Sequence, residues 1–350
     1  MNQIVLNLVL WYKYNKRFLP WREISDPYKI WLSEIILQQT QIAQGEKYYN
    51  SFIENYPSII DLANDSEQNI LKLWQGLGYY SRARNLHKTA KIISEKHNGK
   101  FPKSYEQLIE LKGIGNYTAS AILSFSYNLP FPVLDGNVYR VISRFYKINT
   151  PINSNKAQTE FLNILKEWIQ FAEPKTFNNA IMELGATVCK PENPKCDDCP
   201  LNLECGSSSN DKWKNYPIKL SKSKPETLYI HYFYIPFQNH VHFVQRPENG
   251  IWANLYEFPN IESKQFIEDS KIAELFSTHF KGIVATEFDK KYTVKHLLSH
   301  KIIYASFWHV KLNKLCEKKS IHWEKVSILK SNDLPVHKLI ENYLLSLSDI

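Results

Sequence analysis

Two carboxylates and four thiols are the residues of this chain best suited to chemistry. Glu34 sits in the middle of Ile30-Trp-Leu-Ser-Glu-Ile-Ile-Leu37, a run so apolar that the carboxyl is expected to be buried. Burial raises a carboxyl pKa and lets the group hold a proton near neutral pH. The plainer alternative is a surface glutamate beside Ser33. Asp135, in Val133-Leu-Asp-Gly-Asn-Val138, opens an apolar helical run, where an aspartate most simply caps the helix. One carboxylic acid and one carboxylate together are the equipment for cleaving a glycosidic bond. The thiols are Cys189, Cys196, Cys199 and Cys205, spaced Cys-x6-Cys-x2-Cys-x5-Cys. Pro191, Pro194 and Pro200 lie among them and disfavour helix or strand, so this segment should wrap around something compact. Zinc and a 4Fe-4S cluster both take four thiolates. Zinc sites usually pair two Cys-x2-Cys knuckles, and the single knuckle here favours iron–sulfur. Cys316 stands far downstream and is not counted as a ligand.

Three further segments bear on binding. Leu111-Lys-Gly113-Ile-Gly115-Asn-Tyr-Thr-Ala119 reads as helix, tight turn, helix. Bare amides at the start of the second helix would bind phosphate without reading sequence, although an ordinary interhelical turn is the commoner meaning of Gly-x-Gly. Gln38-Gln39-Thr40-Gln41 ends the Glu34 helix in amides. Amides can read base edges, but a solvated helix end explains such a run on its own. In Trp74-Gln-Gly-Leu77-Gly-Tyr79-Tyr80, small residues precede paired aromatics, which suits insertion beside stacked bases and equally a packed aromatic turn.

These residues need a scaffold. A chain of 350 residues with 43% hydrophobic content can bury two cores. No stretch reaches the roughly 18 apolar residues of a membrane span. Ile4, Leu6, Leu8, Val9 and Tyr12 suggest an amphipathic helix, and the lysines follow it, whereas a signal peptide carries its charge first. Four clustered thiols without an export signal point to the reducing cytoplasm. The net charge of +8 is spread along the chain and permits nucleic-acid binding. Residues 1–205 read as almost wholly helical. Asp26-Pro27 starts one helix, a second runs from about 81 to 97 and stops at Asn98-Gly99, and a third begins near Asn116. Helical patterns also cover 134–147, 155–171 and 175–188. Residues 206–226 are polar and lysine-rich and read as a linker. From residue 227 the period becomes two, through Leu228, Ile230, Tyr232 and Tyr234 and again at Val241 and Phe243, so 227–350 is expected to be an α+β domain.

Taken together, the chain resembles the MutY-type adenine DNA glycosylases of the helix–hairpin–helix iron–sulfur superfamily. The resemblance rests on Leu19-Pro-Trp-Arg22, Trp31-Leu-Ser-Glu34, Leu37-Gln-Gln-Thr-Gln41, Gly76-Leu-Gly-Tyr-Tyr80, Arg84-Asn-Leu-His87, Leu111-Lys-Gly-Ile-Gly115, Leu134-Asp-Gly-Asn-Val138 and the four cysteines. It runs over nearly the whole chain and places zinc well behind the 4Fe-4S cluster. It implies an all-α glycosylase domain carrying the cluster loop, followed by a Nudix-like, MutT-like domain matched at Arg246-Pro-Glu-Asn-Gly-Ile-Trp252 and Leu255-Tyr-Glu-Phe-Pro259. The acidic helix of a Nudix enzyme is missing after Gly250, so no pyrophosphatase is expected.

The resemblance also implies roles. Adenine opposite 8-oxoguanine, or opposite guanine, is turned out of double-stranded DNA and cut from its sugar. Glu34 matches the general acid and Asp135 the carboxylate that stabilises the oxocarbenium ion. Trp21, Arg22, Leu37, Tyr117 and Asn137 match the adenine pocket. Gln38, Gln39, Thr40, Leu77, Tyr79, Gly113 and Gly115 match DNA and lesion contacts, and Ser299 and His300 match the loop that probes the lesion. Leu298 stands where the family commonly has Phe, and Lys112 where it has Pro. Bifunctional relatives similar to endonuclease III place a nucleophilic lysine where this chain has Tyr117, so base removal without a lyase step is implied. A monomer in the cytoplasm, associated with the nucleoid, completes the expectation. Other helix–hairpin–helix glycosylases, a non-catalytic iron–sulfur DNA sensor and a Nudix phosphohydrolase are the competing readings. Gln38-Gln39, the carboxylate pair and the missing acidic helix argue against them in that order.

Overall fold

A computed structural model describes residues 1–208, 211–221, 224–314 and 323–348. Cys316 therefore lies outside the described residues. The helices preceding the first strand are α1 (Asn2–Asn15), α2 (Pro27–Leu37), α3 (Ile42–Asn55), α4 (Ile59–Asn64), α5 (Glu67–Leu73), α6 (Ser81–His97), α7 (Tyr105–Ile109), α8 (Asn116–Tyr127), α9 (Gly136–Tyr146), α10 (Ala157–Trp168) and α11 (Pro174–Thr187). The described contacts divide the chain into two units. The first is Met1–Asn64 with Asn85–Lys222, and the second is Asp65–Arg84 with Ser223–Ile350.

In the first unit the helix starts follow from side chains that accept the orphan amides of a first turn. Asp26 Oδ1 accepts from the Tyr28 amide at 2.9 Å, with Pro27 at the first helical position. Asp135 Oδ1 accepts from the Val138 amide at 2.7 Å and caps α9. Helix α6 ends at Asn98 and Gly99, both at positive φ. The main core of this unit joins α1, α9, α10 and α11 through Leu8, Phe161, Trp168, Phe177 and Leu184. A smaller cluster of Ile30, Ala121, Phe125 and Val133 fastens α2 to α8. The polar stretch after Cys205 is tied down here. Arg144 Nε donates to the carbonyls of Trp213 and Tyr216 at 3.2 Å, and the Ile152 amide donates to the Ile218 carbonyl at 2.9 Å.

The second unit is built on strands β1 (Glu226–Tyr234), β2 (Pro236–Phe237), β3 (His240–Gln245), β4 (Tyr256–Glu257), β5 (Asn260–Ser263), β6 (Val284–Leu297), β7 (Lys301–Lys314) and β8 (Glu324–Ser327). Helix α12 (Ile272–His279) lies between β5 and β6 in the chain, and α13 (Lys338–Ser348) follows β8. One sheet has the order β5-β1-β7-β6, with β1 and β7 parallel. The other joins β2, β3 and β4, with β8 on β3. Alternation along β1 gives the main sheet two apolar faces. Ile230, Tyr232 and Tyr234 meet Leu339 and Tyr343 of α13, while Phe233 and Ile235 meet Ile272 and Phe276 of α12. Residues 65–84 pack within this unit. Gln75 Nε2 donates to Glu341 at 3.0 Å, Asn254 Nδ2 to Glu67 at 2.6 Å, and an Arg84 guanidinium nitrogen to the Ala253 carbonyl at 2.7 Å.

Candidate active site and thiol centre

A cavity of about 550 Å³ opens in the first unit, and Glu34 and Asp135 both line it. Helix α2 supplies Glu34 because its flanking isoleucines and Trp31 must be buried, and they take the carboxylate in with them; Glu34 is 8% exposed. Burial pushes its carboxyl up to about 7, the charge of Asp135 adds to the rise, and a hydrogen bond with the Tyr117 side chain opposes it. Asp135 is held differently. Its Oδ2 accepts from Asn137 Nδ2 at 2.7 Å while Oδ1 caps α9. Burial raises its pKa as well, and these amide donors offset only part of the rise. The aspartate is thus a helix cap and a cavity carboxylate at once. Burial, together with the charges of Glu34 and Asp135, keeps the Tyr117 phenol protonated far above neutral pH.

Trp21, Arg22, Leu37, Tyr117 and Asn137 line the same cavity, as do Gln38, Gln39 and Thr40 at the end of α2. Gln39 has φ 56°, a left-handed conformation that a non-glycine residue adopts only under local constraint. Gly113, also in this unit, has φ +80°, and a Cβ built there would lie 2.8 Å from the Asn85 Cβ, so the hairpin requires glycine. Gly115 is the N-cap of α8. Leu77 and Tyr79 fall in the second unit, in the turn between α5 and α6, where Tyr79 is 46% exposed at φ 47°. Leu298, Ser299 and His300 form the turn between β6 and β7, closed by the Leu298 amide on the Lys301 carbonyl at 2.8 Å. Ser299 and His300 are exposed.

Two residues that matter here went unread in the sequence. Glu183, on α11, is fully buried and grips the cavity wall. Arg17 donates to it from Nε at 2.7 Å, and Arg22 pairs with its other oxygen. Burial alone would raise the Glu183 pKa, but these guanidinium bonds prevail and bring it down to about 2. A glutamate among the apolar residues of 180–185 was the available clue. Gly185 is the second. A Cβ there would lie 2.6 Å from the Asn137 Cβ and 3.0 Å from its carbonyl oxygen, so α11 touches the backbone beside Asp135.

The four cysteines line one small cavity of about 30 Å³. Burial raises the Cys196 and Cys205 thiols and takes Cys199 up to about 12, with the neighbouring cysteines adding to each rise. Helix α9 reaches this loop. Arg140 Nε donates to the Cys189 carbonyl at 2.7 Å, and another of its nitrogens to Asn137 Oδ1 at 2.8 Å. Arg144 donates to the Lys190 carbonyl at 2.6 Å and contacts Cys189 Sγ at 3.5 Å.

Residues 32–169 match the HhH-GPD superfamily base excision DNA repair protein family, and 231–345 match the NUDIX domain. Adenine DNA glycosylase from Buchnera aphidicola subsp. Acyrthosiphon pisum is 33% identical over 98% of this chain and 97% of its own length. The protein of that name from Buchnera aphidicola subsp. Baizongia pistaciae is 39% identical over 89% of this chain and 86% of its own. The chain belongs to the adenine DNA glycosylase family. It acts on DNA in base excision repair, as a hydrolase of N-glycosyl bonds. The human relative is 31% identical over 84% of this chain and 64% of its own length. Among solved structures, a thermostable thymine-DNA glycosylase aligns with TM-score 0.54 at 25% identity, covering 58% of this chain and 94% of that one. An endonuclease III–DNA complex shares the fold at TM-score 0.51 and 23% identity, over 59% of this chain and 95% of that one. No helix among the described residues is long and apolar enough to cross a membrane.

The thiol loop of this glycosylase suits an iron–sulfur cluster. Four half-buried cysteines line one cavity, and four thiolates are the donor set that such a cluster takes.

Proposed function

We propose that this enzyme removes adenine paired with 8-oxoguanine or guanine, and that the Glu34–Asp135 cavity receives the adenine turned out of the duplex. The observation that carries the reading is the unequal treatment of two carboxylates in one cavity. Glu34, pushed to about 7, holds a proton to give to the adenine ring as the bond to the sugar breaks. Asp135, held by donors from Val138 and Asn137 that favour its charged form, is the carboxylate that faces the oxocarbenium ion, or bonds with it, until water adds. Trp21, Arg22, Leu37, Tyr117 and Asn137 form the wall around the base. Tyr117 offers no amine for a Schiff base, so the reaction ends at base removal. Gln38, Gln39, Thr40, Leu77 and Tyr79 serve the duplex around the mispair, and Gly113 and Gly115 offer amides to a phosphate. Cys189, Cys196, Cys199 and Cys205 hold a 4Fe-4S cluster, which would fasten the loop after α11. The glycosylase and lesion-reading domains are taken as 1–205 and 227–350, and Ser299 and His300 read 8-oxoguanine.

Excision rates on duplexes with A opposite 8-oxoguanine, A opposite guanine, C opposite 8-oxoguanine and T opposite guanine test the substrate. Cutting of the first two alone is expected; a rate on T opposite G matching that on A opposite 8-oxoguanine would reject the reading. Ser299→Ala with His300→Ala should lower the preference for 8-oxoguanine over guanine, each lost base contact being worth ~1–3 kcal/mol. The point variant is preferable to deleting 227–350, which would strip residues 65–84 of their bonds to Asn254 and Glu341.

A further inference from the structure

The α12 face of the main sheet is only partly covered. Helix α12 packs on Phe233, Trp308 and Val310, and beyond it a cavity of about 250 Å³ lies open on β1, β7 and β6. Its floor is aromatic. Tyr229 and Tyr304 stand opposite each other on the parallel strands β1 and β7, their rings 5.4 Å apart and 18° from parallel. Phe266, 69% exposed, stands edge-on to Tyr229 at 5.9 Å. The wall is polar. Thr293 and Ser306 share a hydrogen bond at 2.8 Å across β6 and β7. The Trp308 indole N–H, which can only donate, bonds to His231 Nδ1 at 3.2 Å. The His231 proton must therefore sit on Nε2, which makes no hydrogen bond among the described residues. Lys290 reaches both Asp269 oxygens at 2.7–2.8 Å, and Lys295 lies over the Tyr304 ring at 5.8 Å, leaving the rim with one more cation than anion.

A stacked ring pair, a free N–H, paired hydroxyls and a cationic rim together suit an unpaired base with its phosphate. We propose that this cavity binds an unpaired nucleobase, packed against the Tyr229–Tyr304 ring pair, with its edge toward His231 and the Thr293–Ser306 pair and its phosphate beside Lys295. Single-stranded DNA is the source an enzyme working on opened duplex meets most often, and a free nucleotide offers the same chemistry. The site shares no lining residue with the Glu34–Asp135 cavity and does not depend on the mechanism assigned there.

The test uses the full-length protein and a fluorescein-labelled oligothymidine, followed by anisotropy in the presence of excess undamaged duplex. Binding should persist under duplex and fall about 10-fold in Tyr229→Leu and in Tyr304→Leu, which keep bulk but lose the ring. Tyr229→Phe should bind normally, and adenine excision should be unchanged in all three. Lys295→Glu, an exposed change that leaves the core intact, should weaken binding severalfold. Thymidine monophosphate added as competitor separates the sources. Displacement at matched nucleotide concentration assigns the site to free nucleotides, and its failure assigns it to a strand. Equal binding by the leucine and glutamate variants, or complete loss of oligothymidine to duplex, would overturn the proposal.

Discussion

Glu34 in the first unit and Glu257 in the second are 8% and 4% exposed, and burial pushes both carboxyls upward. Glu257 nevertheless ends below its ordinary value. Arg246 donates to it at 2.7 Å, Asn260 at 2.7 Å and the Tyr232 hydroxyl at 3.2 Å, with His337 at 3.2 Å. Trp252 stacks on the His337 ring at 3.8 Å and seals the network. Glu34 has the Tyr117 hydroxyl and a second carboxylate for company, and among the described residues no salt bridge forms to it. Burial acts in the same direction on both; the sign of the neighbours decides where each pKa settles. A satisfied buried charge fastens a fold, and an unsatisfied one keeps a proton ready to give.

The comparison breaks first on chemistry. Glu34→Gln and Asp135→Asn are each expected to lose about 10²–10⁴-fold in single-turnover excision while retaining duplex binding. Near-normal rates in either would remove the contrast. Glu257→Gln should do the reverse. It leaves Arg246 short of a partner, and thermal or urea unfolding should register a loss of about 3–5 kcal/mol, with the excision step little changed below the transition. The third test is a stability gain. The folded-state pKa of Glu34 is raised from 4.5 to about 7, so its contribution is complete below 4.5 and is lost as pH rises through 7. Glu34→Gln should therefore be more stable than the parent above pH 7, by up to about 3 kcal/mol, with little difference at pH 4. Equal unfolding midpoints at pH 8 would count against the raised pKa. Arg140→Gln, the smallest change, cuts the link from Asn137 to the Cys189 carbonyl; about 1 kcal/mol of stability should go, together with some excision rate. An unchanged excision rate would show that Asn137 and Asp135 hold their places without it.

What could be read from the chain was local. The caps at Asp26 and Asp135, the stop at Asn98-Gly99 and the alternation along β1 are set by residues within one turn or one strand, and the structure has them there. The same locality made the burial of Glu34 legible, since its helix has few polar residues to turn outward. Pairings across long stretches left no such trace. Arg17 and Glu183 are 166 positions apart, and Gln75 and Glu341 are 266 apart. Residues 65–84 carry a helical pattern like their neighbours, and nothing in their period tells that Glu67, Gln75 and Arg84 bond within the second unit. The polar stretch after Cys205 reads as free linker because its anchors, the Trp213 and Ile218 carbonyls, are backbone atoms common to every sequence.

The contact of α11 with Asn137 has a genetic consequence. Every missense change at the Gly185 codon installs a Cβ, and here even the smallest side chain meets Asn137 at 2.6 Å. Alanine or serine, usually among the mildest of replacements, would press on the residue that donates to Asp135. Codon 185 is thus a place where replacements that look conservative on paper should behave as loss-of-function alleles, although no atom of that glycine lines the cavity.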